Sequence, residues 1–216
     1  AGSWPDGSLF FTMRLVDGDD LAAALDRTAT LPERVALLPH VIKVTEALAY
    51  AHARKIIHRD LKPANVLVGA YGETVVIDWG IAKELGRAVD DVTLPLLATA
   101  DGLTRAGVIL GTPCFMAPEQ ARGEELDQRA DVYALGALLY NVLAGKPPYS
   151  DRFQSAELVI EYSAAHPPTP IRELAPGAPE DLCTIVERAM ARAPAERYLD
   201  AGQMADELRR FEAGQL

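Results

Sequence analysis

In the N-terminal part of the chain, apolar residues gather in short strand-like runs around two helical stretches; in the C-terminal part helical spacing dominates. Leu9-Phe10-Phe11-Thr12-Met13-Arg14-Leu15-Val16 carries the aromatic and β-branched content of a strand, with Pro5-Asp6-Gly7 as a turn before it. Asp17-Gly18-Asp19-Asp20 is expected to break that strand, and Asp20 to cap a short helix over Leu21–Arg27. Pro32–His52 places Leu38, Val41, Ile42, Val44, Leu48 and Ala49 at helical spacing, which predicts one helix with a single buried face. After a polar loop over Ile56–Asn65, the runs Val66–Val68 and Thr74–Ile77 flank Gly69–Gly72 and predict a small hairpin.

Asp78–Glu119 has little periodicity and many turn residues; a structureless stretch of that length counts against an assignment unless it is a functional loop. Asp131–Ala144 is apolar on nearly all sides, the pattern of a helix in the middle of a core, and Gly145 with Pro147-Pro148 stops it. Ser155–Ala165, Pro179–Met190 and Asp200–Phe211 are further helices, the last with Met204, Leu208 and Phe211 on one side. The pattern predicts a mainly α (α+β) chain of helices with short β-hairpins, with no repeats and no low-complexity segment.

The composition adds bounds rather than detail. At 216 residues the chain suits one domain, or one large lobe of a bigger one, and 49% hydrophobic with 24% charged residues is ordinary for a globular protein. A formal net charge of −10 argues against duplex nucleic acid or an anionic membrane as partner, but not against a nucleotide whose charge metal ions screen. Cys114 and Cys183 make no disulfide framework, so a reducing cytoplasm is the expected setting. Ala1–Ser8 is no signal peptide, and the apolar run Ala134–Gly145 is too short for a bilayer, so no membrane contact is expected in this segment, whatever anchors the parent elsewhere.

His58-Arg59-Asp60-Leu61-Lys62-Pro63-Ala64-Asn65 fits the pattern H-R-D-x-x-x-x-N, Asp78-Trp79-Gly80 stands where D-F-G would follow, and Ala117-Pro118-Glu119 is A-P-E. Singly, each of these residues reads as a turn former or a solvated charge. As an ordered set at these spacings, followed by Asp131-Val132-Tyr133-Ala134-Leu135-Gly136, they resemble the protein kinase family, over nearly the whole chain. The looser likeness of Pro148-Tyr149 and Arg197-Tyr198-Leu199-Asp200-Ala201 points to the bacterial relatives of the eukaryotic enzymes. The resemblance implies a serine/threonine protein kinase that uses ATP with Mg²⁺ (or Mn²⁺) and acts on Ser and Thr of protein substrates.

It also implies roles. Asp60 would accept the proton of the substrate hydroxyl, Lys62 would meet the transferring phosphate as a point charge, and Asn65 with Asp78 would hold the metal through oxygen. Lys62 and Thr112, in Gly111-Thr112-Pro113, favour an aliphatic hydroxyl over tyrosine. Arg59 would receive a phosphate on the activation segment, with Thr104 the first candidate and Thr99 and Thr93 behind it. Structural parts fall to His58 and Trp79, which replaces the usual Phe, to a Glu119–Arg197 ion pair, and to Asp131 as acceptor for the catalytic-loop backbone. Met13 would stand as gatekeeper, Arg14 and Val16 would meet adenine through their backbone, Asp20 would bind ribose, and Leu67 would lie under the purine.

No glycine-rich G-x-G-x-x-G-x-V segment and no strand lysine precede Ser8. By this reading 1–20 is a remnant of the small-lobe strand and hinge, 21–216 is the large C-terminal lobe, and the N-lobe is a missing partner. The segment alone would then be nearly inactive. The alternative is a pseudokinase or isolated large lobe serving as a non-catalytic scaffold.

Overall fold

The computed structural model describes residues 2–3, 9–10, 18–79, 83–84, 113–153 and 155–215, with side chains from residue 18 onward except at 83–84. Among these, helices predominate and the strands are two to four residues long.

Strand β1 (Gly2–Ser3) pairs antiparallel with β2 (Leu9–Phe10); the expected continuation through Val16 lies outside the described residues. The segment read as a strand breaker is instead partly strand: β3 (Gly18–Asp20) runs antiparallel to β5 (Val66–Gly69), in register Gly18↔Gly69, Asp19↔Val68 and Asp20↔Leu67. Local composition disfavours a strand here, and the pairing overrides it. Gly18 makes the approach feasible, because its φ is +146° and a Cβ there would stand 2.1 Å from the Val68 carbonyl oxygen.

Asp20 caps α1 (Leu21–Asp26), its carboxylate accepting from the Ala23 N–H at 2.8 Å. The helix expected over Pro32–His52 is two helices, α2 (Leu31–Val35) and α3 (Leu38–Ala53). Thr30 and Glu33 close a capping box on the first, and a second proline, Pro39, starts the next. From α2, Arg34 donates to the carbonyls of Val142 (3.1 Å) and Leu143 (3.5 Å).

After β4 (Ile56–Ile57), a 3₁₀ turn over Pro63–Asn65 leads into β5, which forms the expected hairpin with β6 (Thr74–Val76). Strand β4 also pairs with β7 (Lys83–Glu84). The C-terminal half supplies α4 (Pro118–Ala121), α5 (Gln128–Ala144), α6 (Ala156–Ala165), α7 (Ile171–Leu174), α8 (Glu180–Ala189) and α9 (Ala201–Glu212).

Helix α5 is the axis of the core. Every residue from Ala130 to Leu143 is buried, and α3, α8 and α9 pack around it. Each fully buried leucine of α5 stabilises by about 1.5–3 kcal/mol relative to exposure, so this helix contributes heavily to the fold. Asp127 caps its start, one turn ahead of the expected boundary, and Gly145 ends it in the left-handed conformation at φ 72°. The Arg34 guanidinium covers the same end, where the last turn's carbonyls lack intrahelical partners. Helices α8 and α9 are amphipathic, burying Leu182, Ile185 and Val186 on one and Met204, Ala205 and Leu208 on the other. Among the described residues no helix is long and apolar enough to cross a membrane.

Candidate active site

The loop from His58 to Asn65 is suspended between β4 and β5, and its shape is imposed from below by α5. The Asp131 carboxylate accepts from the backbone N–H of His58 (2.7 Å) and of Arg59 (2.9 Å). The Nε2–H of His52 donates to the same carboxylate at 3.0 Å, while His52 Nδ1 accepts from the N–H of Ala201, the first residue of α9. Asp131 is 1% exposed, so a carboxylate taken this far out of water requires such a set of donors. Among the described residues no buried side-chain nitrogen or oxygen lacks a hydrogen-bond partner.

His58 is fully buried and ties two loops together. Its Nδ1 accepts from the Asp60 N–H (3.3 Å), and its Nε2–H donates to the Ile77 carbonyl (3.0 Å), just before Asp78. These partners assign the Nε2–H tautomer. The Trp79 ring stands edge-on to His58 at 4.7 Å between centroids, and its indole N–H donates to the Val76 carbonyl at 3.1 Å.

At the surface of this frame, Lys62 Nζ donates to Asp60 Oδ2 at 2.9 Å; each side chain is about one-fifth exposed, at 20% and 19%. The Asn65 amide nitrogen donates to both the Asp60 carbonyl (2.7 Å) and Asp60 Oδ2 (3.2 Å). Its nitrogen is thus committed to Asp60, and its oxygen is the atom through which Asn65 would hold a cation. The hairpin brings the second loop to the first: Val66 faces Val76, and the Ile77 N–H donates to the Asn65 carbonyl at 2.9 Å, so the exposed Asp78 follows directly. A carboxylate and an amide oxygen suit a hard cation such as Mg²⁺, which binds through few protein oxygens and keeps the rest of its shell for water and phosphate. Among the described residues no cluster of three or more His, Cys, Asp or Glu could hold a metal ion.

Two site residues are held in strained backbone. Arg59 has φ 69° and Asp78 φ 62°, left-handed values that cost non-glycine residues of order 1–3 kcal/mol. At Arg59 both ends are restrained: the N–H by Asp131 and the carbonyl by Gln120 Nε2, at 2.8 Å.

Glu119 and Arg197 meet as a buried bidentate pair, and Arg197 also donates to the carbonyls of Ala191, Arg129 and Arg192. Asp20 and Leu67 face each other across β3 and β5, with one Asp20 oxygen engaged in capping α1. Met13, Arg14, Val16, Thr93, Thr99, Thr104 and Thr112 lie outside the described residues. Sequence reasoning missed His52 and Gln120. Gln120 directly follows Ala117-Pro118-Glu119, but nothing local signals that its amide reaches a carbonyl 61 positions away.

Comparison with known proteins agrees with this geometry. Residues 5–204 match the protein kinase domain family. The chain is 38% identical to the serine/threonine-protein kinase PknD of Mycobacterium tuberculosis (strain ATCC 25618 / H37Rv) over 202 residues, covering 93% of this chain and 28% of that one. It is 36% identical to the serine/threonine-protein kinase PknH of Mycobacterium bovis (93% of this chain, 31% of that one) and 34% identical to PknB of Mycobacterium leprae (95% and 31%). The chain therefore belongs to the protein kinase family, in its bacterial serine/threonine branch. It spans about three-tenths of the length of the curated relatives it matches.

Proposed function

We propose that the complete protein transfers the γ-phosphate of ATP to serine and threonine hydroxyls of proteins, and that this chain carries the groups that orient and activate the acceptor. The observation behind this reading is the hydrogen-bonded set Asp60, Lys62 and Asn65, with Asp78 adjoining it through the Asn65–Ile77 backbone pair. Residues 21–216 correspond in this reading to the large lobe and 1–20 to a remnant of the small-lobe strand and hinge.

Asp60 accepts the hydroxyl proton as the acceptor oxygen attacks, and its carboxylate is aimed by Lys62 and Asn65. Lys62 also adds positive charge where charge develops on the transferring group. Asn65 and Asp78 would hold a divalent metal through oxygen, and that ion would supply neutralisation of phosphate charge. Asp20 and Leu67, paired across β3 and β5, would contact ribose and purine, and Met13, Arg14 and Val16 the adenine edge. Arg59 is assigned as receptor for a phosphate on the activation segment, at Thr104 first, and Thr112 as a partner of the catalytic pair. The scaffold alternative is not favoured, because Asp60, Lys62, Asn65 and Asp78 are all present and the matched relatives bear kinase names.

The test is radiolabelled phosphate transfer by the complete protein to a Ser/Thr protein substrate. Asp60→Asn should lower kcat by about 10²–10⁴-fold, and Asp78→Asn should raise the Mg²⁺ concentration needed for half-maximal rate. Undiminished transfer by Asp60→Asn would overturn the assignment.

A further inference from the structure

The peptide unit joining Arg59 to Asp60 is gripped at both ends by side chains. Its N–H, on Asp60, donates to His58 Nδ1 at 3.3 Å; its carbonyl, on Arg59, accepts from Gln120 Nε2 at 2.8 Å. This is the peptide whose orientation sets where the Asp60 carboxylate points, and it follows a left-handed residue, Arg59 at φ 69°. A non-glycine residue stays in that region only where its surroundings over-determine it. Gln120 stands on α4 beside Glu119, and Glu119 is locked to Arg197, so the amide is presented from a fixed base.

We propose that Gln120 is a positioning residue for the catalytic aspartate: by holding the Arg59 carbonyl it makes the aim of Asp60 depend on the docking of α4 against the C-terminal part of the chain. The inference rests on the function proposed above for Asp60. Its physical content is that phosphoryl transfer depends on near-attack geometry, so that a displacement of about 1 Å at the base costs on the order of 10²-fold in rate. The C-terminal end of the activation segment and the catalytic base are then coupled through one amide, in addition to any contact made by the segment's own phosphate.

A small cavity of about 10 Å³ adjoins this bond, lined by Arg59, Asp60, Gln120, Asp131 and Met116 among others. Shortening Gln120 to Ala would enlarge it enough for a water to replace the amide. The informative variants therefore keep the side-chain length: Gln120→Met removes the donor, and Gln120→Glu sets a carboxylate against the carbonyl.

The experiment is steady-state kinetics of the complete protein carrying each variant, run well below its melting midpoint. The expected result is a fall in kcat of about tenfold, the equivalent of one well-placed hydrogen bond, with KM for ATP and for the peptide substrate within about twofold of the parent. A kcat within about twofold of the parent in either folded variant overturns the proposal, as does a loss that falls on KM alone. If one variant fails to fold, the other decides. Asp60→Asn is run alongside. Full activity there sinks the functional reading itself, whereas an inactive Asp60→Asn beside a fully active Gln120→Met sinks only the role given to Gln120.

Discussion

Arg197 reaches across 78 positions to Glu119 with two parallel bonds, Nη1–Oε1 at 2.6 Å and Nη2–Oε2 at 2.8 Å, at a site where both residues are 4% exposed. Its remaining donors go to the carbonyls of Ala191 (2.7 Å), Arg129 (2.9 Å) and Arg192 (3.3 Å), and its guanidinium carbon lies 5.0 Å from the centre of the Tyr133 ring. One side chain thereby joins α4, the start of α5 and the segment after α8.

Removing one partner leaves the other charged and buried. Arg197→Met should destabilise by about 3–5 kcal/mol and more than Glu119→Gln, because it also strands three carbonyls. The double variant Glu119→Met/Arg197→Met should recover part of the loss. Urea unfolding of the four proteins measures this, and equal midpoints for Arg197→Met and the parent would refute it.

Asp131→Asn tests the floor of the His58–Asn65 loop. A carboxylate accepts from His58, Arg59 and His52 at once, while an amide must turn an NH₂ toward at least one of those donors. The expected cost is about 1–3 kcal/mol of stability, together with a lower kcat as the loop relaxes. Denaturant titration and kinetics on the same sample check both parts.

Gly136→Ala sets two effects against each other. Alanine is the better helix former by about 1 kcal/mol, but a Cβ at this position would lie 2.7 Å from the Ala189 Cβ and 2.8 Å from the Met190 Cγ. Overpacking costs about 1–3 kcal/mol, and the neighbours include the backbone carbon of Ala189 at 3.3 Å, which has little freedom to yield. Overpacking should win, and the thermal midpoint should fall.

The protein should lose stability as pH rises above 9. Burial pushes the Cys114 thiol from an ordinary 9.0 to about 11, and burial likewise raises Tyr133, Tyr140, Tyr149 and Tyr198 above their ordinary 10.0. The unfolded chain therefore releases these protons at lower pH than the folded one. Their contribution is complete below pH 9 and is lost progressively as pH climbs through the raised values. Urea midpoints measured at intervals from pH 7 to about 11 should stay level, then decline. Over the same range Cys114 should resist alkylation until unfolding begins.

Much of the architecture was legible from pattern alone. The all-round apolarity of Asp131–Ala144 foretold the core helix, and period and capping residues foretold α1, α6, α8 and α9 to within a few positions. The polar frame was legible only in part: Asp60, Lys62, Asn65 and Asp78 stood out through their spacing, whereas His52 and Gln120 carried no local signal. Strand β3 was misread as a breaker because its Gly-Asp-Asp composition speaks only for the isolated segment.

Taken by itself, the sequence determined which chemical groups are present and where most of the longer helices form, since periodicity and caps are properties of neighbouring residues. Tertiary structure alone decided what those groups face. The pairing of β3 with β5, the bidentate Glu119–Arg197 contact, the three donors gathered on Asp131 and the grip of Gln120 on a left-handed Arg59 all join residues far apart in the chain. Hydrogen bonds and ion pairs depend on distance in space, and that distance exists only once α5 and its neighbours have packed.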